Sequence, residues 1–118
     1  MRNTAKQGKI GEEQASAALK AKGMEIIAKN VRSKYGEIDI VAKDKETIVF
    51  IEVKAWSSYK LEDLQYGIDL KKQNKIIETA KYFLFKNRKY SNMAVRFDVV
   101  FIKENSITHL ESAFMESV

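Results

Sequence analysis

A chain of 118 residues, 45% hydrophobic and 31% charged, can build one hydrophobic core and is too apolar for disorder. It has no cysteine, no run near the roughly 20 apolar residues of a membrane span, and no apolar secretory signal at its start, so a cytoplasmic single domain over 1–118 without a membrane partner is expected. The net charge of +5 favours a polyanionic partner.

Residues 4–22 are rich in Ala, Glu, Gln and Lys, all good helix formers, with Asn3 or Thr4 placed to cap the start and Gly23 the end. At the helical step of 100° per residue, Ala5, Gly8, Glu12, Ala15 and Leu19 share one narrow stripe. Glu12 therefore sits within a small apolar face, whereas Glu13 turns toward solvent. Met24 to Arg32 reads as a first strand, with Asn30 and Arg32 as turn and surface residues.

Tyr35 to Trp56 carries two strands separated by the polar run Lys43-Asp44-Lys45-Glu46. Side chains alternate faces along a strand. Glu37, Asp39 and Val41 share one face of the first; Ile48, Phe50, Glu52, Lys54 and Trp56 share one face of the second. Ile38 and Ile40 join Val49, Ile51 and Val53 on the other. A loop over 43–46 puts Ala42 opposite Thr47, Glu37 opposite Glu52, and Asp39 opposite Phe50, diagonal to Glu52. Sliding by one residue would push an apolar set into water, so Asp39, Glu52 and Lys54 should converge.

Two carboxylates on an otherwise apolar face repel each other unless something offsets their charge. A hard divalent cation does so, and Mg²⁺ commonly takes one or two protein carboxylates. Lys54, roughly 7 Å beyond Glu52 along the strand, is then placed to face a phosphate or a metal-bound water. The bland alternative is a solvated salt-bridge face.

Ser57 to Gly67 is a polar connection containing Tyr59 and Tyr66. A second helix follows over Asp69 to about Lys89, its inner face formed by Gln73, Ile76, Ile77, Ala80, Phe83, Leu84 and Asn87. Between residues 71 and 96 eight basic side chains oppose one acid, Glu78. Lys72, Lys75 and Lys86 flank the apolar stripe and as a group suit a phosphate backbone, Lys72 lying nearest the apolar edge. Ala94 to Ile102 is apolar enough for a central strand. Arg96 and Asp98 share a face there as a structural ion pair. Residues 106–111 form a last short strand, and Ala113-Phe114-Met115 closes the core. His109, the single histidine, is assigned to structure.

Asp39 with Glu52-Val53-Lys54 resembles the PD-(D/E)xK nuclease signature, with Ile38 in the place of its proline. The longer pattern is similar to the YraN-like family of bacterial predicted endonucleases, relatives of archaeal Holliday-junction resolvases. The matching pieces run in order through Gly8-x-x-Gly11-Glu12-x-x-Ala15, Asn30, Gly36-Glu37-Ile38-Asp39, Phe50-Ile51-Glu52-Val53-Lys54, Lys72, Ala80, Arg96-Phe97-Asp98-Val99 and His109-x-x-x-Ala113-Phe114.

The resemblance implies an α/β restriction-endonuclease-like fold of order αβββαβ(β), a mixed central sheet flanked by helices in three layers. It further implies a Mg²⁺-dependent endonuclease acting on DNA, branched or flapped forms included, with Mn²⁺ able to substitute. Glu12, Asp39 and Glu52 would hold the metal, Lys54 would orient the water or offset phosphate charge, and Glu37 would stand just outside. The alternative is an inactive nucleic-acid-binding module of the same fold, and a homodimer stays open. The family usually has arginine where this chain has Trp56, whose indole either stacks on an unpaired base or closes the core.

Overall fold

The computed structural model describes residues 4–55 and 68–116. In chain order these form α1 (Thr4–Ala21), β1 (Glu25–Arg32), β2 (Glu37–Asp44), β3 (Thr47–Ala55), α2 (Leu70–Lys86), β4 (Ala94–Lys103) and β5 (Ser106–Phe114). The strands make one sheet in sequential order. Among the described strands only β3 and β4 pair in parallel, and α2 lies in the crossover that a parallel pair requires.

Among the described residues each face of the sheet carries one helix. Ala15 and Leu19 of α1 pack with Ile40, Ala42, Val49, Ile51, Val100 and Ile102. On the opposite face Ile76, Ile77, Ala80 and Phe83 of α2 pack with Val41, Ile48, Phe50, Phe97 and Phe101. This is the three-layer mixed-sheet arrangement expected from the order αβββαβ(β). Among the described residues no helix is long and apolar enough to cross a membrane.

The helix ends have local causes. Gly23 sits at φ 92, where an L side chain would be strained. Its amide bonds the Lys20 carbonyl at 2.9 Å and that of Met24 bonds Leu19 at 3.1 Å, the paired closure of a Schellman motif. Asp69 caps α2 by accepting the Lys72 amide at 2.8 Å. α2 stops at Lys86 rather than Lys89, because the backbone and side-chain amides of Asn87 both bond the Phe83 carbonyl, each at 2.9 Å. Arg88–Tyr90 then forms one 3-10 turn.

The β2–β3 register differs from expectation. Asp44 pairs with Thr47 and Ile40 with Ile51, so the turn is the two residues Lys45-Glu46 instead of four. Lys45 takes φ 57, the left-handed first position that two-residue hairpins use. Continued one step, this register sets Asp39, rather than Glu37, opposite Glu52. The faces survive, since the slip is two residues in total. Ile38 is the exception, packing in the α2-side cluster while Ile40 packs under α1.

β5 also runs further than expected, to Phe114. Its pairing with β4 is interrupted between Phe97 and Val99, where Ser112 adopts φ 53. Beyond the bulge Phe114 stacks on Phe97 at 5.1 Å between ring centroids; of the three residues expected to close the core only Phe114 does so, because Ala113 and Met115 are exposed.

Candidate active site

The ladder between β2 and β3 ends at Ile40–Ile51. One residue further, Asp39 Oδ2 accepts the Val53 amide at 2.7 Å. A carboxylate thus replaces a ladder carbonyl just where the strands part, and is held against β3. Glu52 lies beside it in β3, its side chain 9% exposed. The two carboxyls are within hydrogen-bonding reach of each other.

Burial, then the Asp39 carboxyl, push the Glu52 carboxyl up to about 8; Lys72 and Lys54 only partly offset this. Glu52 Oε2 is buried without a hydrogen-bond partner among the described residues. Lys72 Nζ stands 3.6 Å from it, an ion-pair distance beyond hydrogen-bonding range.

Glu12 approaches Asp39 from α1. Burial first, then the Asp39 charge, raise its carboxyl, with Glu37 adding to the effect and a hydrogen bond from Asn30 opposing it. Asn30 is therefore more than a turn residue. It takes φ 54 in β1, a conformation asparagine tolerates better than most residues, and its side chain reaches Glu12. Its place among the family-like residues was the available signal. Glu37 is half-buried and paired with Arg32 at 3.6 Å.

Asp39 thus adjoins both Glu12 and Glu52, the three acids coming from three elements, and Lys54 and Lys72 act on Glu52. Lys75 lies one helical turn beyond Lys72, and Lys86 is four turns along, about 21 Å at the helical rise. Trp56 and the expected connection over 57–67, with Tyr59 and Tyr66, lie outside the described residues.

A model of the uncharacterised protein family UPF0102 matches residues 11–102. The chain belongs to that family. It is 43% identical to a UPF0102 protein of Persephonella marina over 108 residues, covering 92% of each chain. A UPF0102 protein of Clostridioides difficile is 41% identical over 114 residues, 95% of this chain and 99% of its own. The resemblance to the YraN-like family is consistent with membership of UPF0102.

This UPF0102 sheet holds a second polar group, on its α1 side. Asp98, fully buried, accepts from Arg96 Nε at 2.9 Å, Arg96 Nη2 at 3.0 Å and the Ser112 amide at 3.0 Å. Lys22 donates to His109 Nδ1 at 2.8 Å, which leaves His109 Nε2 as the protonated nitrogen that donates to Asp98 Oδ2 at 2.7 Å. Burial alone would raise the Asp98 carboxyl, but the bonds from His109, Arg96 and Ser112 outweigh it and hold it below the ordinary value.

By spacing alone Asp98, His109 and Glu111 could hold a cation, their donor atoms lying within 4.8 Å of one another. Those atoms are already committed. Arg96 brings its positive charge to both carboxylates, reaching Glu111 at 3.3 Å, and His109 has spent its ring nitrogens. The expected Arg96–Asp98 ion pair and the structural role of His109 both hold. By contrast, Glu12, Asp39 and Glu52 are not within that mutual distance, yet they retain an unbonded buried oxygen.

Proposed function

We propose that this protein is a Mg²⁺-dependent endonuclease acting on DNA, branched or flapped forms included. One observation carries the reading: a buried carboxylate, Glu52, stands against a second carboxyl, Asp39, with Oε2 unbonded among the described residues. A folded protein tolerates such a pair at a cost in stability unless a cation completes it. The donor set fits a hard cation, being all oxygen and gathered from three elements. Glu12, Asp39 and Glu52 would hold it, and Mn²⁺ would substitute.

Bound there, the metal would acidify a water molecule and offset charge on a phosphate. The chain's own residues do the rest. The Val53 amide fixes the Asp39 carboxylate, and Asn30 orients Glu12. Lys54 offers an ammonium on the strand face beside Glu52, where it can orient the water or draw in the phosphate. Lys72 and Lys75 extend positive charge from the acids along α2, supplying phosphate contacts that position the backbone.

The test is calorimetric titration with Mg²⁺ and Mn²⁺, followed by cleavage assays on single-stranded, duplex and four-way-junction DNA. Metal binding and cleavage should both be lost in Glu52→Gln. DNA binding with no cleavage by the wild type under any metal would leave a non-catalytic binding module instead.

A further inference from the structure

The outer face of α2 carries two exposed aromatic side chains that no part of the proposed active site uses. Tyr82 is 42% and Phe85 68% exposed. Each has a cation over its ring: Lys86 Nζ lies 5.9 Å from the Tyr82 centroid and the Arg88 guanidinium 6.0 Å from that of Phe85. A third such pair stands on the β1–β2 loop, where Lys34 Nζ is 5.2 Å from the ring of Tyr35, itself 43% exposed.

The loop is fastened to the same helix. Ser33 Oγ bonds Thr79 Oγ1 at 2.8 Å and receives the Tyr35 amide at 3.1 Å. A Cβ on Gly36 would lie only 3.3 Å from that of Lys75, so glycine permits the close approach. The loop bearing Tyr35 is thereby packed against the turn of α2 that holds Lys75 and Thr79, one to two turns before Tyr82, and Phe85 follows Tyr82 by one turn. Aromatic and basic groups alternate along this stretch, which starts beside Lys75 and runs toward the C-terminal end of α2.

We propose that the outer face of α2, with Tyr35 at one end and Phe85 at the other, is a stacking track for unpaired nucleotides. The occupant is chosen by chemistry. Exposed rings flanked by cations match a strand that offers π-faces and phosphates together. A duplex hides its base faces, so it would use the cations and leave the rings idle. A lipid surface calls for an apolar helix face, and that of α2 is spent on Ile76, Ile77, Ala80 and Phe83 in the core. The cations at the end of α2 also suit the helix dipole, but that accounts for charge and not for the rings. The inference rests on the nucleic-acid reading above for its polymer, and would lead a single-stranded arm away from the active site.

Fluorescence anisotropy in EDTA, without metal or cleavage, tests it with the probes dT20, rU20, a 20-base-pair duplex, heparin, and vesicles of neutral and anionic phospholipid. Tyr82→Ala/Phe85→Ala should weaken dT20 or rU20 binding about tenfold or more, with duplex and heparin binding almost unchanged; the tighter oligonucleotide identifies the sugar. Equal losses on heparin and oligonucleotide, no loss at all, no wild-type binding to either oligonucleotide, or a loss confined to vesicles would each overturn the track. Since metal and cleavage play no part, failure of the endonuclease reading is read separately, from calorimetry and cleavage by the wild type.

Discussion

The Val53 amide donates to Asp39 Oδ2 at 2.7 Å, so one carboxylate both completes the β2–β3 hairpin and faces Glu52. Structure and proposed chemistry share this side chain, and substitutions can separate them. Asp39→Asn keeps an oxygen for the Val53 amide and should leave thermal stability nearly unchanged while removing the response to Mg²⁺. Asp39→Ala orphans the amide and should cost about 1–3 kcal/mol. Urea denaturation with and without Mg²⁺ reads both. Equal stability losses in the two variants would show that the hydrogen bond does not matter.

Glu52 should make the stability of the metal-free protein fall with pH between 4.5 and about 8. Its carboxyl is raised from the ordinary 4.5 to about 8, so between those values the folded protein keeps a proton that the unfolded chain has released. Stability from this group is therefore present at low pH and lost as pH rises through about 8. Glu52→Gln mimics the protonated form. In EDTA its melting temperature should match the wild type near pH 5 and exceed it by a growing margin up to pH 9. A margin independent of pH would mean that Glu52 is ionised throughout.

The buried acid Asp98 has the opposite sign. The Asp98 carboxyl is held below its ordinary value, so its contribution is present above the unfolded-state value and lost as pH falls through the folded one. Asp98→Asn turns an acceptor toward the Arg96 and His109 donors into an amide donor, and should cost about 3–5 kcal/mol at neutral pH. The deficit should shrink in acid, where the wild type loses the same charge. Chemical denaturation at pH 7 and pH 3 gives both numbers, and a deficit unchanged by acid would remove Asp98 from the acid response.

Side-chain parity made much of this legible. Alternation along β2 and β3 sets Asp39, Glu52 and Lys54 on a common face whatever odd-numbered offset the turn selects, and helical phase alone put Glu12 inward. The turn itself was harder, because a left-handed Lys45 has no composition signal of the kind Asn-Gly gives. Ile38 also escaped strict alternation, as it lies where the Asp39 side chain displaces the ladder. Asn30 looked like a surface turn residue because its reach to Glu12 depends on a φ of 54 in mid-strand. Periodicity carries no trace of that.

The three lysines of α2 should differ in what they contribute. Lys72 stands 3.6 Å from Glu52 Oε2, whereas Lys86 is about 21 Å further along the helix, the length of roughly six base pairs. Replacing Lys72 and Lys75 with Gln should weaken binding of every DNA substrate, short ones included, and lower the salt slope by about 0.9 for each duplex phosphate no longer neutralised. Lys86→Gln should matter only for substrates long enough to span from the acids to the end of α2. Lys72→Gln carries a further signature. Because Lys72 lowers the Glu52 carboxyl, its removal should move the Glu52 titration midpoint, followed by carboxyl carbon NMR, above about 8. Salt slopes identical to wild type in all three variants would reduce these lysines to a solvated face. An unmoved Glu52 midpoint would separately show that the Lys72 ammonium does not reach the acid cluster in solution.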